Sequence, residues 1–283
     1  ASTDDHTARP GTGYKQYERR KMTFAMGPKS KMWEYKYKAE DPNFPELPRI
    51  EPGESNPFSE RVSSFVYPGG ILAVHSQGRS KDQIWSALKN KNVYGTSGPR
   101  ILLWFNLINS PEGDVPMGSE ITMSQNPRFT VRAAGSFKQK EGCPSESIDA
   151  LSSKRLNYLC AGECYNPSNE RHVIDRIEII KITPQEYSGE AISPLIQDAW
   201  KTLSCSGRSE CVVEFEDELY SRDSVYYVRA IQEPTLAING SQFSEENKEF
   251  KLCKGSFRTD LLDNCLSEVS ERAWSSPIYL NKP

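Results

Sequence analysis

Cys211-Val-Val-Glu-Phe-Glu216 is the stretch that decides the fold class of this chain. Side chains alternate along an extended chain, so Cys211, Val213 and Phe215 share one face and the two glutamates share the other. Such alternation is typical of a strand with one buried and one solvated face. Similar β-branched or aromatic runs, separated by Gly, Pro, Asn and Ser, occupy residues 100–108, 128–137, 172–183, 223–232 and 276–280. Six such runs without intervening helices predict an all-β antiparallel, sandwich-like domain over residues 98–283.

Residues 1–97 have a different pattern. Five prolines between positions 42 and 57 exclude a helix or a central strand there. Gly70-Ile-Leu-Ala-Val-His75 predicts a short buried strand. Ser80-Lys-Asp-Gln83 is a capping box, and it predicts a helix that buries Ile84, Trp85 and Leu88. The chain as a whole is therefore predicted to be α+β, with its two parts joined near residue 98.

Composition excludes several classes of function. Hydrophobic residues make up 36% of the chain when the 13 Tyr are counted, and about 37–38% when the 18 Gly replace them, against about 45–50% in a typical globular protein. A net charge of −3 argues against nucleic acid as a partner and against adhesion to anionic lipid, since both need a basic field. No apolar run approaches the ~20 residues that span a bilayer, so we expect no membrane span. The polar first twenty residues carry no signal-peptide pattern.

The seven cysteines all lie in the second half of the chain, at Cys143, Cys160, Cys164, Cys205, Cys211, Cys253 and Cys265. The last four bracket two short polar loops, 205–211 and 253–265, as local disulfides do. The first three can supply one more bridge and leave one thiol. The alternative for Cys160 and Cys164 is a zinc site, for which only His172 is nearby. Disulfides predict an oxidising compartment, and hence a periplasmic or secreted protein.

Residues 14–38 are locally basic and end in Trp33-Glu-Tyr35-Lys-Tyr37-Lys38, where aromatic and charged residues alternate. A platform that binds phosphate-bearing ligands is one interpretation. A half-buried hairpin strand is the other, because the alternation has the strand period.

Asp4 and His6, near the start of the chain, are the candidate metal ligands. They are two residues apart, so on a strand both point to the same face. A carboxylate beside an imidazole suits zinc, manganese or iron. An exposed tail could carry the same residues, and two side chains leave the ligand set incomplete, since a catalytic site needs at least three protein ligands and an open position.

Ser2-Thr3-Asp4-Asp5-His6 resembles the Gly-Ser-Asp-x-His signature of the PHP (polymerase and histidinol phosphatase) superfamily of metal-dependent phosphoesterases. The longer stretch 4–15 resembles an uncharacterised bacterial family, domain of unknown function 3604, placed near that superfamily. The likeness continues over residues 69–75, 78–82, 93–101, 130–137, 176–179, 225–233 and 271–278.

The resemblance implies that residues 1–97 are the C-terminal part of a PHP-like β/α barrel. It places Asp4 and His6 in a metal shell where a metal-activated water attacks a small phosphate-bearing substrate. The superfamily's His-x-His motif and its middle Glu and His ligands should precede Asp4. We therefore expect this chain to be the C-terminal portion of a longer protein, with the missing N-terminal barrel half as its partner.

Three further residues are candidates for an active site. His75 ends the predicted strand 71–74, where barrel enzymes place active-site groups, although a core or capping histidine is the alternative. Arg9 and Arg79 could hold a substrate phosphate through bidentate guanidinium contacts, or form structural ion pairs. No chemistry is assigned to His172, and no residue is assigned as catalytic. The competing hypothesis is a non-catalytic secreted or periplasmic binding or assembly protein that interacts through its β-sandwich.

Overall fold

The computed structural model describes residues 69–160, 162, 164–238, 241–244, 249–252 and 266–283. The basic stretch 14–38, the proline-rich stretch and the pair Cys253 and Cys265 lie outside these residues. The described elements are β1 (Ile71–Val74), α1 (Lys81–Lys89), β2 (Val93–Thr96), β3 (Leu102–Ser110), β4 (Gly113–Pro116), β5 (Glu120–Thr122), β6 (Arg128–Ala134), β7 (Phe137–Gln139), α2 (Ser145–Ala150), α3 (Ser153–Cys160), β8 (Pro167–Arg171), β9 (Ile174–Ile182), β10 (Ile196–Arg208), β11 (Glu210–Glu216), β12 (Ser224–Ile238), β13 (Ser241–Ser244), β14 (Glu249–Leu252), β15 (Leu266–Ser275) and β16 (Ile278–Asn281).

The larger sheet is built around β12, which is fifteen residues long. β9 pairs along one side of β12, while β16 and β15 lie end to end along the other side. β10 extends the sheet beyond β9, and β2 followed by β1 extends it beyond β15. These pairs are antiparallel, whereas β5 lies parallel to β16. The result is an open, mostly antiparallel sheet of eight strands.

The smaller sheet has the order β11-β6-β3-β4 and is antiparallel throughout. Its inner face stacks Phe105, Phe129 and Phe215, with ring centroids 5.4 Å apart for the first two and 4.8 Å for the last two. Phe129 also lies 4.9 Å from Tyr226 of the larger sheet. The two open sheets thus share one hydrophobic core. The β-rich fold predicted from the alternation in β11 is confirmed, with Cys211 and Phe215 buried.

Two helices interrupt the predicted run of strands. α2 and α3 lie between β7 and β8, so the expectation of strands without intervening helices is wrong at this point. The described helices are short, at most nine residues, and none of them has the length and apolar character that a membrane crossing requires.

The β1–α1–β2 unit begins with the capping box that the sequence predicts. The Ser80 hydroxyl accepts a hydrogen bond from the Gln83 N–H, and the Gln83 side chain accepts one from the Ser80 N–H. β1 and β2 pair antiparallel, and β2 pairs with β15. The strands of a β/α barrel are parallel, so this unit does not itself show one. The barrel and the boundary at residue 98 stay predictions, because residues 1–68 lie outside the described part.

The prediction that α1 buries Ile84, Trp85 and Leu88 is wrong. These side chains are 37%, 58% and 37% exposed, and Ala87 is the buried residue of the helix. A capping box fixes where a helix starts but not which face it buries. The buried face is set by the tertiary neighbours of the helix, and α1 lies against β1. β1 is likewise only half-buried, since Leu72 is 44% exposed.

Candidate functional site

The predicted metal ligands Asp4 and His6 lie outside the described residues, as does Arg9. Their donor chemistry fits a divalent transition metal, because a carboxylate and a neutral imidazole are ligands for zinc, manganese and iron. Within the part of the chain that the structure describes, no group of three or more His, Cys, Asp or Glu side chains could hold a metal ion. The metal site therefore stays a prediction that rests on Asp4 and His6.

His75 connects β1 of the larger sheet to β3 of the smaller one. Its Nε2 donates to the Leu103 carbonyl at 2.8 Å, which places the proton on Nε2 because a carbonyl can only accept. Its ring lies near Tyr94 and Trp104, with centroid distances of 5.3 and 5.8 Å. The backbone N–H of His75 donates to Asn92. These contacts support the structural interpretation of His75.

Replacing His75 with Ala is expected to lower the free energy of unfolding by about 1–2 kcal/mol, since one hydrogen bond between the sheets is lost. Urea denaturation measures this change. Bound metal, measured by elemental analysis, should be the same in His75→Ala as in the wild type. Loss of metal from the folded variant would contradict the structural interpretation and make His75 a ligand.

Arg79 is exposed and lies in the bend that precedes α1. The Ser76 hydroxyl donates to the Gly78 carbonyl at 2.8 Å and shapes this bend. Arg79 forms no ion pair with any described residue. Its phosphate-binding role and the structural ion pair both stay predictions.

Asp217, directly after β11, is the centre of a buried charged cluster that the sequence did not reveal. It is 1% exposed. Its Oδ2 accepts hydrogen bonds from Lys181 Nζ and from Tyr226 Oη, both at 2.5 Å. Its Oδ1 accepts one from the Leu219 N–H. Lys181 and Tyr226 belong to the larger sheet and Asp217 follows a strand of the smaller one, so the cluster joins the two sheets.

The position of Lys181 in the sequence pattern of β9 indicates a buried charge at this cluster. Ile177, Ile179 and Lys181 are spaced by two along β9, and the first two are fully buried. The strand period therefore puts Lys181 on the core face, where a lysine needs a buried anion. The sequence pattern does not predict which residue supplies that anion, because Asp217 lies 36 residues further along the chain.

Two tyrosines at this cluster are held in the neutral form. Burial, together with the hydrogen bond to Asp217, raises the pKa of Tyr226. Burial, followed by the carboxylates of Asp223 and Asp217, raises the pKa of Tyr220 to about 12. The Tyr220 hydroxyl is buried and finds no hydrogen-bond partner in the described part of the chain.

We expect alkaline pH to destabilise the protein through these tyrosines. A raised pKa means that the unfolded chain loses the proton first, so the contribution is complete below pH ~10 and is lost as pH rises towards 12. Absorbance at 295 nm should show that Tyr220→Phe removes one group that titrates near pH 12. Removal of a group that titrates near pH 10 would contradict this assignment.

His172 and Glu233 form a second, partly exposed pair. His172 Nδ1 lies 3.0 Å from Glu233 Oε1, which also accepts the Val173 N–H at 3.0 Å. Burial raises the pKa of Glu233, but the Val173 N–H and His172 outweigh it, so the pKa is lowered and the carboxylate stays ionised. Gly135 permits the close approach here, because a Cβ would lie 1.9 Å from the His172 carbonyl. The pair fixes the turn before β9 against β12.

Glu271, on β15, is a buried carboxylate that is 3% exposed. The Ser97 hydroxyl donates to its Oε2, and the Arg272 N–H donates to the Ser97 oxygen. This contact closes the junction between β2 and β15. It lies at the end of β1 and β2 that is nearest to residue 69, the first described residue, because Ile71 pairs with Thr96.

Two disulfides are present among the residues that the structure describes. Cys205 of β10 is bonded to Cys211 of β11, and both are fully buried. Cys143 is bonded to Cys164. The second bond uses the thiol that a zinc site at Cys160 and Cys164 would need, so the zinc alternative does not fit this structure. The predicted bridge between Cys205 and Cys211 is confirmed, and the bridge expected among the first three cysteines joins Cys143 to Cys164. Both bonds are consistent with an oxidising compartment.

Among comparisons with known proteins, one family model matches part of the chain. No curated protein and no solved structure matches the chain. Residues 1–141 match the model of a family described as protein of unknown function (DUF3604), and this range contains Asp4, His6, His75 and the β1–α1–β2 unit. Over those residues the chain is similar to an uncharacterised domain family.

Proposed function

We propose that this chain is part of a PHP-like metal-dependent hydrolase that acts on phosphate esters. The observation that carries the proposal is the spacing of Asp4 and His6 inside the range that matches the family model. A bound divalent ion would supply a water of lowered pKa as the nucleophile. Asp4 and His6 would hold that ion, and Arg9 and Arg79 would contact the phosphate oxygens.

In this proposal the described residues are the support for the site. The two open sheets would form a sandwich-like support for the N-terminal part of the chain, to which β1 and β2 are the described connection. His75 then positions β1 against β3 and does not bind the metal. The support matters because a ligand held by a loosely fixed segment is poorly oriented for catalysis.

Metal content and hydrolysis of p-nitrophenyl phosphate test this proposal together. The purified full-length protein is equilibrated with zinc, manganese or iron, desalted, and measured by elemental analysis. We expect Asp4→Asn and His6→Ala to reduce both bound metal and hydrolysis at least tenfold. Asp114→Asn is the matched control, since Asp114 is an exposed carboxylate on β4, and it should behave as the wild type. Equal metal binding in all four proteins would refute the proposed site.

A second candidate function is that of a secreted or periplasmic binding or assembly protein without hydrolytic activity. The two disulfides favour the compartment that this role requires. Absence of metal and of hydrolysis in the folded wild-type protein would favour it over the first proposal.

A further inference from the structure

A helical excursion, residues 144–160, projects between β7 and β8. It contains α2 and α3, and the disulfide between Cys143 and Cys164 closes its neck. Hydrogen bonds reinforce the neck: the Lys140 N–H donates to the Asn166 carbonyl at 2.7 Å, and the Asn166 side chain donates to the Glu141 carbonyl at 2.9 Å. The excursion is therefore fixed at its base and does not join either sheet.

The helical excursion exposes an unusual amount of apolar surface. Ile148 is 55% exposed, Leu151 37%, Tyr158 78% and Leu159 39%. α2 has no buried residue. Single exposed apolar side chains are normal on protein surfaces, but several within twelve residues are typical of an interaction surface.

The charges of the two helices are opposite in sign. α2 carries Glu146 and Asp149, and α3 carries Lys154 and Arg155. All four side chains are exposed, and none forms an ion pair with another described residue. An acidic helix and a basic helix side by side make a surface that is complementary to itself after a twofold rotation.

We propose that the helical excursion binds a second copy of this chain, with α2 of one copy against α3 of the other. A twofold interface repeats each contact, so the pairing of acidic and basic helices occurs twice around the buried apolar side chains. Two short helices offer a small area, which predicts a weak dimer with a dissociation constant in the micromolar range. The proposal is independent of the hydrolase proposal, because it uses none of Asp4, His6, Arg9 or Arg79.

Sedimentation equilibrium of the full chain in low salt tests the dimer. We expect the wild type to dimerise, and Glu146→Lys/Asp149→Lys to be monomeric because two basic helices then face each other. Lys154→Glu/Arg155→Glu should be monomeric for the opposite reason. An equimolar mixture of these two double variants should form a heterodimer, and the variant with all four reversals should dimerise alone.

The apolar contribution has its own control. Tyr158→Ser should weaken dimerisation at least tenfold, whereas Tyr187→Ser, at an exposed tyrosine outside the excursion, should not. Circular dichroism confirms that each variant is folded. The proposal is overturned if the wild type stays monomeric at about 100 μM. In that case another part of the protein or a different partner would cover this surface. The proposal is also overturned if the two charge-reversed variants fail to pair with each other.

Discussion

Replacing Asp217 with Asn is expected to lower the free energy of unfolding by about 3–5 kcal/mol. The substitution removes the carboxylate that balances Lys181 among the described residues, and the lysine side chain is 11% exposed. It also weakens the acceptor of the Tyr226 hydroxyl. Urea denaturation in non-reducing buffer measures the change.

Two further variants distinguish the loss of the buried ion pair from the loss of a carboxylate charge at the surface. Glu214→Gln, three residues earlier on β11, removes an exposed carboxylate that is 3.8 Å from Arg128, and it should cost less than about 1 kcal/mol. Lys181→Met/Asp217→Leu/Tyr226→Phe replaces the whole cluster with apolar side chains and should recover most of the loss, because no buried charge is left unpaired. A small effect of Asp217→Asn, similar to that of Glu214→Gln, would show that the cluster does not hold the sheets together.

Loss of the disulfide between Cys205 and Cys211 is expected to cost about 2–4 kcal/mol. The loop is short, with a sequence separation of six, so the chain-entropy model assigns only about 2 kcal/mol to its closure. The rest comes from packing, since both cysteines are fully buried in the common core and Cys205→Ala/Cys211→Ala removes two sulfur atoms from it.

The disulfide between Cys143 and Cys164 is expected to contribute less to global stability than the one between Cys205 and Cys211. The chain-entropy model assigns about 3 kcal/mol to the bond between Cys143 and Cys164, because its sequence separation is 21. We nevertheless expect Cys143→Ala/Cys164→Ala to change global stability by less than about 1 kcal/mol. The helical excursion that it closes is exposed and can open locally while the two sheets stay folded. Equal or reversed costs in urea denaturation would contradict this ranking.

The strands with a regular alternation could be predicted from the sequence, because alternation reports a shared core face. β3, β6, β9, β11 and β12 lie within or close to the predicted runs. The start of α1 was predictable for a local reason, since a capping box involves residues three apart. The bond between Cys205 and Cys211 was predictable because the loop between these two cysteines is short.

Features that depend on distant partners could not be predicted. β10 was missed because it lies at the edge of the larger sheet and its alternation is interrupted: the register shifts between Gln197 and Lys201, and Ala199 has a φ of 48°. The buried face of α1 depends on the elements that pack against the helix, such as β1. The partner of Lys181 depends on how the two sheets approach each other, which no local pattern encodes.

β11 is the outermost strand of the smaller sheet, and it is attached to the larger sheet at both ends. Cys211, near its start, forms a disulfide with Cys205, and Asp217, just past its end, forms an ion pair with Lys181. An edge strand offers unpaired backbone groups to any neighbouring chain, and it does so most readily when one end can swing outward. β11 has no free end. We therefore expect the disulfide at one end of β11 and the ion pair at the other to disfavour strand exchange and aggregation. A reducing environment would break only the disulfide.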